Sequence, residues 1–109
     1  MNQQTSFERY ISLAKSNLEN YYATNDVKFL LTSAEQIWMA FRQLVIRKAG
    51  LSKKKYVPRK AIEYHAYRLK MGELYQLAFR LHWAHYHYYV DDQDATLSGI
   101  LKFLEITKR

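Results

Sequence analysis

A chain of 109 residues, 49% apolar and 16% aromatic, is long enough to bury a core without covalent staples. It has no cysteine, which excludes a disulfide framework, Cys-ligated zinc and a thiol nucleophile. No run approaches the ~18 apolar residues that a membrane span needs. The net charge of +7 is concentrated: residues 42–70 hold ten bases against one acid (Glu63), a net +9, while the remainder has seven bases and nine acids, a net −2. A field of this kind attracts polyanions and speeds their encounter.

The expectation is one domain spanning 1–109, in the cytoplasm. The start, Met1-Asn2-Gln3-Gln4, lacks the basic and apolar regions of a signal peptide. One proline and three glycines provide too little turn chemistry for a β-rich fold.

Five helices are predicted. The first runs from about Thr5 to Ala23, where Thr5 and Glu8 have capping-box spacing and Phe7, Ile11, Ala14, Leu18 and Tyr21 recur on one face. Asp26 is a natural N-cap for the second, about Val27 to Ala49. Leu30, Ala34, Ile37, Trp38, Phe41, Leu44 and Val45 form its apolar stripe, and Gly50 suits the position just past its end. So short a connection between two long amphipathic helices implies an antiparallel hairpin.

Leu51 to Val57 reads as the main loop, carrying Lys53, Lys54 and Lys55. Pro58 opens a third, shorter helix to about Met71, with Ile62, Ala66 and Leu69 on one face and Gly72 as the interruption. The fourth helix covers about Glu73 to Tyr89. A turn rich in capping residues, Val90 to Asp94, precedes the fifth, about Ala95 to Thr107, whose apolar face is Leu97, Ile100, Leu101 and Leu104. The fold class is therefore all-α.

The fourth helix carries the densest chemistry, with three of the four histidines. At 3.6 residues per turn, Leu74, Leu77, Ala78, Leu81, His85 and Tyr88 share one stripe, and Tyr75, Phe79, His82, Tyr86 and Tyr89 form a second beside it. Gln76, Arg80, Trp83 and His87 lie on the far side. Two adjacent apolar stripes mark a helix that is central in a bundle or covered by a second subunit. The aromatic excess favours a subunit contact through Tyr75, Phe79, His82, Tyr86 and Tyr89, and with it a homodimer. His85 reads as a core imidazole, His82 as an aromatic-face residue and His65 as a boundary residue.

On an ideal helix Arg80 and His85 point about 140° apart, so a joint site would need a broken helix, whereas Arg80 and His87 share a sector roughly 10 Å apart along the axis. Metal binding by the pairs His82/His85 or His87/Asp91 lacks the third ligand that a catalytic zinc takes, so no metal and no cofactor are expected. Phosphate-binding loops, the nucleophile elbow and the dinucleotide fingerprint are all absent. The basic segment gives Lys53, Lys54, Lys55, Arg59 and Lys60 as phosphate-contacting residues for RNA or a nucleotide. A solvated loop that keeps the chain soluble is the plainer alternative, and a protein partner another.

The hairpin with Asp26 at its turn, Ala34-Glu35-Gln36-Ile37-Trp38-Met39-Ala40 on its second arm, and Leu81-His82 followed by His87 and an acidic turn together resemble archaeal PaREP-type proteins, which are similar to the HEPN superfamily. The resemblance covers nearly the whole chain. It implies an up-and-down antiparallel bundle of four main helices plus one short one, often dimeric. Many such proteins are metal-independent ribonucleases with an Arg-x(4–6)-His motif at a dimer cleft. Arg80-x4-His85 and Arg80-x6-His87 both satisfy it, which would make the histidine a general base on a ribose hydroxyl and Arg80 the phosphate clamp. Leu81 follows Arg80 where active members commonly carry a polar residue. The leading expectation is accordingly a HEPN-like binding module using the 42–70 segment. The alternatives are a ribonuclease using Arg80 with His85 or His87, and a non-catalytic subunit of a toxin–antitoxin or nucleotidyltransferase pair.

Overall fold

A computed structural model describes the backbone of residues 5–87 and 93–108 and the side chains of 5–84 and 93–108. Among the described residues all regular structure is helical: α1 (Ser6–Thr24), α2 (Val27–Lys48), α3 (Arg59–Arg68), α4 (Gly72–His87) and α5 (Gln93–Thr107). None of these helices is long and apolar enough to cross a membrane.

The local signals that start and stop the first two helices act as expected. Thr5 Oγ1 accepts from the Glu8 amide (3.1 Å) and Asp26 Oδ1 from the Lys28 amide (3.0 Å), each satisfying a donor that a helix start leaves without a partner. Asn25, at φ 57°, ends α1 in the left-handed region, and its amide donates to the Tyr21 carbonyl across 2.7 Å. Past α2, Gly50 takes φ +71° while the amides of Gly50 and Leu51 reach back to the carbonyls of Arg47 and Ile46, a Schellman closure.

α3 is shorter than its expected range, and Gly72 is not where it breaks. The left-handed residue is Lys70, at φ 61°. The amides of Lys70 and Met71 return to the carbonyls of Tyr67 (3.1 Å) and Ala66 (2.7 Å), so the same Schellman closure stops the helix at Arg68. Gly72 instead begins α4, for a steric reason given below.

α2 packs against every other helix and is the centre of the bundle. Its stripe from Leu30 to Val45 is buried throughout. α1 folds back on it through Ala14 and Leu18; there the buried Ser33 hydroxyl donates to the Ala14 carbonyl (2.8 Å) and Asn17 Nδ2 donates to Gln36 Oε1 (2.9 Å). On the opposite side α2 meets Ile62 and Ala66 of α3, Tyr75, Ala78 and Leu81 of α4, and Ile100 and Phe103 of α5. Val57 plugs the loop end of this core, and Arg42 Nη2 donates to its carbonyl across 3.1 Å.

Two expected faces are corrected. α5 turns Thr96, Ile100 and Phe103 inward and leaves Leu101 exposed. Phe103 decides this: its ring meets Phe41 edge-on at 6.4 Å, and only the 96/100/103 register brings it there. On α4 the described part of the second stripe is filled in part by Trp38 of α2. Tyr75 is 1% exposed and packs between Trp38 and Phe41, each with its ring centroid 6.2 Å away. Phe79 lies 5.7 Å and His82 5.0 Å from the same indole, both half-buried. Tyr75 is therefore removed from the expected subunit contact. The Tyr86 side chain and Tyr89 lie outside the described residues.

Candidate functional site

The basic segment resolves into bases that anchor the fold and bases that face solvent. Arg42 holds the loop through Val57. Arg59 is drawn inward by three groups: its Nη1 donates to the Tyr75 hydroxyl at 2.9 Å and lies 3.8 Å from Glu63 Oε1, and its guanidinium carbon sits 5.0 Å above the Phe79 ring. Burial pushes the Tyr75 phenol above its ordinary value, and the bonded Arg59 pulls the other way without cancelling the effect. Arg59, expected as a phosphate contact, also ties α3 to α4, with its side chain 41% exposed. Lys53, Lys54, Lys55 and Lys60 stand exposed as expected, with Arg47, Lys48 and Lys70.

Three tyrosines interleave with these cations and are far from buried: Tyr56 is 75% exposed, Tyr64 56% and Tyr67 52%. On α3, Lys60, Tyr64, Tyr67 and Arg68 follow i, i+4, i+7, i+8 spacing, which is one helix face. The buried Ile62 and Ala66 define the opposite face. The two α3 rings are held rather than loose. Arg68 donates to the Tyr64 hydroxyl (3.2 Å) and covers its ring at 5.7 Å. The Tyr67 hydroxyl accepts from Gln76 Nε2 at 2.6 Å, and its ring lies over the bare backbone of Gly72. A Cβ at residue 72 would come within 2.4 Å of that ring, so the glycine is required by the close approach of Tyr67. The tyrosine platform escaped the sequence reading, although the 60/64/67 spacing opposite Ile62 and Ala66 was there to signal it.

Of the expected catalytic group only Arg80 has its side chain among the described residues. α4 is helical from Gly72 to His87, so the break that an Arg80–His85 site would need is absent from its backbone. The side chains of His85 and His87 lie outside the described residues. Arg80 is exposed beside α5, away from α3. His82 has a different partner from any foreseen: its Nδ1 lies 2.9 Å from Glu35 Oε2, and with a proton on Nδ1 it donates to that carboxylate. The pair ties α4 to α2 above the Trp38 indole. His65 is half-buried, edge-on to Tyr64 at 5.1 Å. Among the described residues no group of three metal-capable side chains occurs.

No protein-family model, curated protein or solved structure matches this chain.

Proposed function

We propose that the chain binds single-stranded RNA through the surface formed by the 51–57 loop and α3. One observation carries the reading: three solvent-facing tyrosines interleaved with Lys53, Lys54, Lys55, Lys60 and Arg68 in a segment of net charge +9. Cations track a phosphate backbone, and aromatic faces stack on splayed bases irrespective of sequence. Fixed rings suit this better than mobile ones, because less freedom is lost when a base docks. A duplex hides its base faces, so a single strand is the better match.

The reading keeps the HEPN-like resemblance as a proposal. An all-helical bundle whose hairpin turns at an Asp26-capped helix start supports it. The aromatic stripe of α4 no longer argues for a homodimer, since Trp38 occupies much of it.

The test is fluorescence anisotropy of a labelled oligouridylate titrated at several salt concentrations, beside a duplex of equal length. The expected result is preference for the single strand, with affinity falling steeply as salt rises. Replacing Lys53, Lys54 and Lys55 by Ala should lessen the logarithmic salt slope by about 2. Absence of binding at low salt overturns the proposal and leaves a protein partner as the use of this surface. The same incubation in EDTA examines the ribonuclease alternative, which requires cleavage lost in Arg80→Ala and His87→Ala.

A further inference from the structure

A second surface, independent of α3, lies along the seam of α4 and α5. The two helices leave between them a groove of about 510 Å³. Its floor is apolar, formed chiefly by Leu77, Leu81 and Gly99, and its rim carries Arg80 and Trp83 from α4 and Lys102 from α5. Arg80 and Trp83 are i, i+3 neighbours on one rim and Lys102 stands on the other, so the two cations border one opening. Among the described residues no carboxylate lines the groove, and neither Arg80 nor Lys102 makes an ion pair with one of them. None of the lysines of the 53–70 segment reaches it.

Gly99 gives the groove its depth. A Cβ at residue 99 would stand 3.1 Å from Leu81 Cδ2 and 3.6 Å from Leu77 Cδ1, so any side chain there would enter the floor. Trp83 is 45% exposed at the mouth and meets Phe79 edge-on at 6.1 Å. Phe79 meets one edge of the indole, and the exposed part of the ring lies beside the two cations.

The geometry points to a binding site for a small amphipathic anion, a compact aromatic or alkyl body carrying one sulfonate, carboxylate or phosphate group. The volume falls in the range of small-molecule sites, which are mostly apolar with a few charged groups that fix orientation. The apolar body rests on Leu77, Leu81 and Gly99 against Trp83, and the anionic group lies between Arg80 and Lys102. Two cations, with no acid among the described lining residues, bias the site against neutral and cationic ligands. A polymer is a poorer fit, since the lining residues span only two turns of each helix.

The probe is 8-anilinonaphthalene-1-sulfonate, compared with the uncharged N-phenyl-1-naphthylamine. The expected result is saturable binding of one sulfonate per chain, with amide shift changes confined to residues 77–84 and 95–102 in NMR spectra. The double variant Arg80→Glu/Lys102→Glu, whose changes lie at exposed positions, should weaken the sulfonate about tenfold or more and leave the uncharged probe within about twofold. Lys54→Glu should leave both probes unchanged while weakening RNA, which separates failure here from failure of the α3 reading. Non-saturable binding, shift changes centred elsewhere, or equal loss of both probes in the double variant would each overturn the assignment.

Discussion

Gly72→Ala should damage RNA binding while leaving the fold nearly as stable as before. The perturbation is one methyl group. It would lie 2.4 and 2.6 Å from two atoms of the Tyr67 ring, well inside contact distance, so the ring must move. The ring is 52% exposed and can swing outward without opening the core. That movement breaks the hydrogen bond from Gln76 Nε2, a loss of about 0.5–1.5 kcal/mol. Against it, Ala in place of Gly favours a helix by about 0.5–1 kcal/mol. Gly72 has no positive φ, so Ala suffers no backbone strain there. The net change in stability is therefore within about 1 kcal/mol of zero. Binding should fall more, because a stacked base is worth about 1–3 kcal/mol, or roughly 5- to 150-fold in affinity. Tyr67→Ala sets the upper limit of that loss. Urea unfolding measures the first quantity and anisotropy with the oligouridylate the second. Unchanged affinity in both variants refutes the role given to Tyr67. A stability loss beyond about 2 kcal/mol refutes the claim that the ring can swing aside.

Three further outcomes follow from the fold. Lys70→Gly should raise stability by about 1 kcal/mol in urea unfolding, because a left-handed φ of 61° strains any residue with a Cβ. Phe103→Ala should cost about 3–5 kcal/mol and Leu101→Ala under about 1, a contrast that calorimetry reads directly and that reverses if the Leu97/Leu101 face were the inner one. Tyr75 gives the chain an alkaline limit. Its phenol is raised above 10.0 in the fold, so as pH climbs past 10.0 the unfolded chain releases this proton before the native one does and stability falls. In Tyr75→Phe that component of the decline is absent, and the stability difference between wild type and variant should shrink from pH 9 to pH 11 in parallel urea titrations.

Elements fixed by neighbours in sequence were legible; those fixed by partners across the bundle were not. Asp26 and Gly50 act within a few residues of their own position, and they cap and close α2 as their chemistry predicts. The α2 stripe is wide and uninterrupted, so its buried face admits one solution. The face expected on α5 was Leu97, Ile100, Leu101 and Leu104; Ile100 is buried and Leu97 and Leu104 pack partly against the core, but Phe103 takes the inner place and Leu101 is exposed. The choice belongs to Phe41 on another helix. The α4 stripe met the same limit: its aromatics look like an open face until Trp38 is placed beneath them. The charge run of 42–70 was plain, but not that Arg42 and Arg59 also bond to Val57 and Tyr75.

Tyr75 connects these levels. Its ring lies against Trp38 and Phe41 in the core and stacks on Phe79, its hydroxyl accepts from Arg59 at the start of α3, and a further neighbour, at 6.1 Å, is Tyr67 of the exposed platform. α3 is only ten residues long and buries just Ile62 and Ala66, too little apolar surface to hold its position strongly by itself. The Arg59–Tyr75 hydrogen bond therefore supplies much of what fixes α3 to α4. If so, Tyr75→Phe should leave the core packed but loosen α3, seen as faster amide exchange from 59 to 68 with protection in α2 preserved. Equal loss of protection in both helices would mean that α3 and α2 unfold as one unit, and that the platform owes its order to the bundle as a whole.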